Sequence, residues 1–108
     1  TVTIYRAHNG APGKALDVQT ATGKDKNGSF TIPVTMITLA PGRYFVGVQA
    51  NMSLVKGGQW GWEVTSQTHG ATDMWQNPGG ALGVCPTWTD IVTCFNSNGP
   101  DFMVSLVH

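Results

Sequence analysis

Turn signals recur along this chain at intervals too short for ordinary helices. Asn9-Gly10, Pro12-Gly13, Asn27-Gly28, Pro41-Gly42, Gly57-Gly58, Pro78-Gly79-Gly80 and Asn98-Gly99-Pro100 mark the breaks. Asn-Gly accepts the positive φ angles that tight hairpins demand, and Pro presets the first corner of a turn. Between the breaks β-branched residues dominate, and apolar residues alternate with a period of two. No segment shows a helical period, so the expectation is strands joined by turns.

The alternation can be read residue by residue. Val2 and Ile4 share a face in TVTIYRA, as do Leu16 and Val18 in ALDVQT. SFTIPVT aligns Phe30, Ile32 and Val34, but Pro33 lacks an N–H and makes this an edge strand or a broken one. RYFVGVQA is the strongest strand, with Tyr44, Val46, Val48 and Ala50 on one face and Phe45, Gly47 and Gln49 on the other. WGWEVTSQ aligns Trp60, Trp62, Val64 and Ser66, FMVSLV aligns Phe102, Val104 and Leu106, and DIVTCF is a shorter candidate. Together these predict an all-β, antiparallel β-sandwich, Ig-like or jelly-roll-like, of about seven to eight short strands. Residues 68–89 show no clear alternation and read as a long structured loop, tied down by Trp75, Trp88 and the cysteines.

A length of 108 residues fits one domain with one modest core, so residues 1–108 are expected to form a single sandwich. Only 11% of residues are charged and the net charge is zero, where about 25% charged is usual. That argues against nucleic acid or an anionic membrane as partner, since both need a basic face. A surface without self-repulsion also associates more easily with other copies. No apolar run is long enough to span a bilayer, so membrane insertion is not expected. No basic segment followed by an apolar one opens the chain, which is read as a trimmed or excised piece of a longer exported protein.

Cys85 and Cys94 can close a small loop, with Pro86 and a turn between them. Thr-, Asn- and Gly-rich, charge-poor composition is that of secreted β proteins, so a disulfide and an extracellular or cell-surface location are expected. No histidine lies near the pair, and two sulfurs do not complete a zinc site, so no metal is expected.

Enzymatic constellations are missing. No serine stands in a Gly-x-Ser-x-Gly elbow. His8, His69 and His108 are far apart, and Asp17, Asp25, Glu63, Asp73, Asp90 and Asp101 form no motif. The chain therefore reads as non-catalytic, without a cofactor. GKDKNGSF faintly resembles a calcium loop, but Lys26 intrudes and the terminal acid is absent, so a hairpin turn is the better reading.

The tryptophans admit two readings. As a platform, rings would stack on sugars while Gln59, Gln76 and Asn77 bond hydroxyls. As a core, Trp60 and Trp62 point to one face, which continues into Val64. The spacing favours Tyr44, Trp60, Trp62 and Trp88 as a structural aromatic core. Any ligand contacts are then expected from the loop between Gln67 and Gly83, through Gln67, Trp75, Gln76 and Asn77.

PGRYFVGVQA, GQWGWEVTSQT, MWQNPGGALGVCPTW and GPDFMVSL, in this order, resemble an accessory module found near the C-termini of large secreted and cell-surface bacterial proteins. VTIYRAHNGAPGKAL is similar to its opening, so the likeness covers nearly the whole chain. Phe45 stands where the module has Trp, and Gly47 where it has Ser. The strand that precedes the Tyr strand in the module is missing here or supplied from elsewhere. The resemblance implies a non-catalytic extracellular β-sandwich for adhesion or surface attachment, with no defined ligand. Two alternatives stand beside it. One is a carbohydrate-binding module that grips an extracellular polymer. The other is a subunit of a self-assembling filament, in which Thr1–Ala7 or Phe102–His108 pairs with another copy through a sheet edge.

Overall fold

The Asn-Gly turns act as expected. A computed structural model describes residues 1–58, 61–79 and 83–107. Asn9 and Gly10 hold φ of 50° and 78°, joining strand β1 (Val2–His8) to β2 (Ala11–Gln19). Asn27 and Gly28, at 55° and 88°, join β3 (Lys24–Lys26) to β4 (Ser29–Thr31). In that second turn Asp25 accepts a hydrogen bond from the Gly28 N–H at 2.8 Å, which makes GKDKNGSF a hairpin. β4 stops before Pro33, where the ladder would lose a donor. β5 (Tyr44–Val48) follows the Pro41-Gly42 turn, and the single-turn helix α1 (Leu54–Gly57) follows β5.

These elements lie in a compact unit spanning residues 1–58, and a second unit spans residues 59–108. In the first, β1 is the central strand of an antiparallel sheet ordered β2-β1-β5. Val2, Ile4 and Arg6 stand opposite Val48, Val46 and Tyr44 on β5. Both edges of β1 are thus occupied, and Thr1–Ala7 is not free to pair with another copy. The Thr1 and Gln49 backbones extend this ladder.

Pro12-Gly13, expected as a turn, lies inside β2. β2 is an edge strand, where a missing N–H costs little. Its pairing with β1 shifts register between Ile4 and Tyr5 and again between Tyr5 and Ala7. Gly13 fits the irregular stretch because a Cβ there would sit 2.9 Å from both the Arg6 carbonyl and the His8 Cβ.

The second unit contains β6 (Val64–Thr65), β7 (Met74–Trp75), β8 (Thr89–Asp90), helix α2 (Ile91–Phe95) and β9 (Asp101–Phe102). β6 pairs with β9 and β7 with β8, all antiparallel. The supposed loop over residues 68–89 therefore contributes two strand segments. DIVTCF, read as a strand, is helical from Ile91. Asp90 caps it by accepting the Thr93 N–H at 2.8 Å, and Asn96 ends it in the left-handed conformation. Capping at both ends outweighs the β preference of Ile91, Val92 and Thr93.

The protein is all-β and antiparallel, with nine strands among the described residues. Its buried apolar set is small: Val2 and Ile91 are buried, whereas fifteen large apolar side chains stand exposed among the described residues.

Candidate functional site

The sequence points to the loop after Gln67, and local structure explains how it is held. Trp75 lies on β7, opposite Thr89 of β8. α2 continues directly from β8 and carries Cys94 and Phe95. Cys85 and Cys94 form a disulfide, closing the loop expected from their spacing. The Asn77 N–H donates to the Cys85 carbonyl at 2.8 Å, so the chain leaving β7 is fastened to the disulfide. The Trp75 ring meets Phe95 edge-on, with centroids 5.2 Å apart.

Trp75, Gln76 and Asn77 are half-buried. The Trp75 indole N–H is shielded from water and has no hydrogen-bond partner among the described residues, at a cost of about 1–3 kcal/mol. Gln67 is exposed and follows β6, whose partner is β9; its N–H donates to the Thr65 hydroxyl at 3.2 Å. Trp75, Gln76 and Asn77 thus form one local group, and Gln67 belongs to a different strand pair.

Of the residues assigned to an aromatic core, Tyr44, Trp62 and Trp88 are half-buried, while Trp60 lies outside the described residues. Trp62 stacks on Phe102 at 5.1 Å, and its indole N–H donates to the Met103 carbonyl at 2.8 Å. It ties residue 62 to the segment following β9 and satisfies its one donor there. In the first unit the Tyr44 hydroxyl donates to the Ala40 carbonyl across the Pro41-Gly42 turn.

The sequence gives no hint of a cluster built from His69, Asp73 and Asp101. Asp101 is 6% exposed. Its Oδ2 accepts the His69 N–H at 2.7 Å and lies 3.1 Å from His69 Nδ1. Asp73 accepts the Phe102 N–H through its carboxylate, while its own N–H donates to Pro100 and its carbonyl accepts from Ile91. The two carboxyl groups hydrogen-bond to each other. Burial pushes the Asp73 carboxyl up to about 6; the Phe102 N–H opposes this, and the hydrogen bond and charge of Asp101 add to it. Burial alone would raise Asp101 too, but His69 and Asp73 hydrogen bonds hold it below the usual carboxylate value. Two neighbouring carboxyl groups do not ionise independently, so the pair titrates together, with Asp73 the member that is raised.

This cluster ties together His69, the start of α2 and the strand β9. Its carboxylates are engaged with backbone N–H groups and with each other, which is the behaviour of a clamp. Local sequence does not reveal it because His69 and Asp101 are 32 residues apart and meet only in the folded chain.

Among the described residues no group of acids, histidines and cysteines is arranged to hold a metal. Among them, too, no helix is long and apolar enough to cross a membrane. Neither a family model, nor a curated protein, nor a solved structure matches the chain.

Proposed function

We propose that this chain is a non-catalytic accessory module of an exported bacterial protein, attaching its host to an extracellular surface or polymer. The observation that carries the reading is the imbalance between buried and exposed apolar surface. Val2 and Ile91 are buried, while Met36, Val55, Leu106 and Val107 are 77–96% exposed. Exposed apolar side chains in this number leave surface in each unit that a partner can cover. The disulfide supports an oxidising, extracellular setting. The engagement of Asp73 and Asp101 as a backbone clamp favours structural over catalytic use of these acids. Trp75 with the half-buried amides of Gln76 and Asn77 supplies a small mixed surface on the same unit.

The test is retention of the purified chain on insoluble chitin, cellulose, collagen and acidic polysaccharide matrices. Loss of retention in a Trp75→Ala, Gln76→Ala, Asn77→Ala variant would assign the contact to that loop. No retention on any matrix, from a protein that stays monomeric, would sink the attachment reading.

A second reading, self-assembly by strand addition, is favoured by residues 103–107. FMVSLV alternates as a strand should, yet β9 ends at Phe102, and Val104, Leu106 and Val107 are exposed at 58%, 77% and 87%. Electron microscopy and light scattering at high concentration separate this from polymer attachment.

A further inference from the structure

Asn27-Gly28-Ser29 and Asn51-Met52-Ser53 both carry the Asn-x-Ser spacing of an N-glycosylation acceptor. Such spacing also arises by chance, and the fold separates the two. Asn27 sits at the tip of the β3–β4 hairpin, whose strands pair only with each other among the described residues. Residues 24–31 are exposed throughout. A Cβ on Gly28 would meet nothing within 4 Å, so the space around the tip is open. Asp25 holds the turn through the Gly28 N–H at 2.8 Å, and Asn27 stands in the left-handed conformation at φ 55°. Among the described residues neither the Asn27 amide nor the Ser29 hydroxyl has a hydrogen-bond partner. Asn51 differs. Its amide donates to the Thr1 hydroxyl at 2.7 Å, beside the Thr1–Gln49 end of the β1–β5 ladder. Its serine, Ser53, precedes α1, and the Ser53 carbonyl accepts the Lys56 and Gly57 N–H groups.

We infer that Asn27 is a site of N-linked glycosylation, modified by transfer of an oligosaccharide from a lipid diphosphate donor during export. The Asn27 Nδ2 attacks C1 of the donor's first sugar. The N–C1 bond forms as the C1–O bond to the diphosphate breaks. The lipid diphosphate leaves with the bonding pair, and one amide proton passes to a base of the transferase. The reaction needs an amide engaged nowhere else, a hydroxyl two residues on that the transferase can reach, and room for a bulky product. The hairpin supplies all three, and no strand of the β2-β1-β5 sheet has to move to present them. At Asn51 the same reaction would displace the bond to Thr1. A glycan at the hairpin tip hydrates a chain with no net charge to keep its copies apart. The inference rests on the exported setting of the proposed function and not on the attachment contact.

The test incubates the purified whole chain with a lipid-linked oligosaccharide and an oligosaccharyltransferase, in separate reactions with a bacterial and a eukaryotic enzyme. Intact mass and peptide mapping locate the product. The expected result is one glycan, on Asn27, from at least one enzyme. Asn51→Gln should keep it, and Asn27→Gln should lose it. Ser29→Ala should lose it too, with Asn27 still in place, and this variant decides if Asn27→Gln fails to fold by circular dichroism. A glycan kept in Ser29→Ala, or one placed on Asn51 instead, would overturn the assignment. A synthetic peptide of residues 22–32 serves as the unstructured acceptor. Modification of the peptide but not of the folded chain would overturn the claim that the hairpin presents Asn27, and modification of neither would overturn the site itself. No glycan on a chain that a matrix retains would remove this inference and leave the attachment reading standing. An Asn27 glycan on a monomer that no matrix retains would do the reverse.

Discussion

Replacing Asp73 by Asn should make the protein more stable at neutral pH and leave it unchanged at mildly acidic pH. In the folded chain the Asp73 carboxyl is raised from 3.8 to about 6, by burial first and by its bonded neighbour Asp101 as well. A carboxyl whose folded value is raised binds its proton more tightly in the folded state. Its stabilising contribution is complete below 3.8 and declines as pH rises towards and through about 6. At about 1.4 kcal/mol per factor of ten, the raised value corresponds to at most about 3 kcal/mol. Asp73 is only half-buried, and solvent screening brings this to about 1–2 kcal/mol. Asn mimics the protonated acid. It still accepts the Phe102 N–H and still offers a donor to Asp101, but it cannot ionise. Urea unfolding of both proteins from pH 4 to pH 8 measures the difference. The two curves should coincide near pH 4, and the variant should lead by about 1–2 kcal/mol at pH 8, equivalent to about 4–8 °C per kcal/mol in Tm for a small domain. Parallel curves, or a variant weaker at pH 8 than at pH 4 relative to the parent, would refute the account of a raised Asp73 carboxyl. Asp101, whose carboxyl is held low, acts with the opposite sign and below this window, so it does not mimic the effect.

Further outcomes follow from single contacts. Reducing the Cys85–Cys94 bond, nine positions apart, should lower stability by about 2.5–3 kcal/mol through the loop entropy it releases, read as a drop in the urea midpoint with added reductant. Trp62→Phe keeps the stack on Phe102 but leaves the Met103 carbonyl without its indole donor, a loss of about 1 kcal/mol in the same assay. Gly13→Ala places a methyl against the Arg6 carbonyl and His8 Cβ, and thermal unfolding should show a cost of about 1–3 kcal/mol. Leu106→Lys, at a 77% exposed position, should leave Tm unchanged and, on the strand-addition reading, abolish any filament seen by electron microscopy.

Short-range chemistry set the hairpins, the main strands and the disulfide of this protein. Asn9-Gly10 and Asn27-Gly28 form hairpins because few residues other than these tolerate positive φ so readily. β1 and β5 follow from strict alternation, and Cys85 with Cys94 from a spacing that lets them meet. Where two local tendencies compete, sequence was a weaker guide. Ile91-Val92-Thr93 looks like a strand, and the carboxylate of Asp90 on the Thr93 N–H makes it a helix. Pro12-Gly13 looks like a turn, and an edge position with an irregular register absorbs it into β2. The acidic cluster is a product of the folded chain, in which His69 joins Asp101 across 32 residues. Electrostatic interaction depends on distance in space, and the spacing of residues along a chain carries that distance only within a turn or a hairpin.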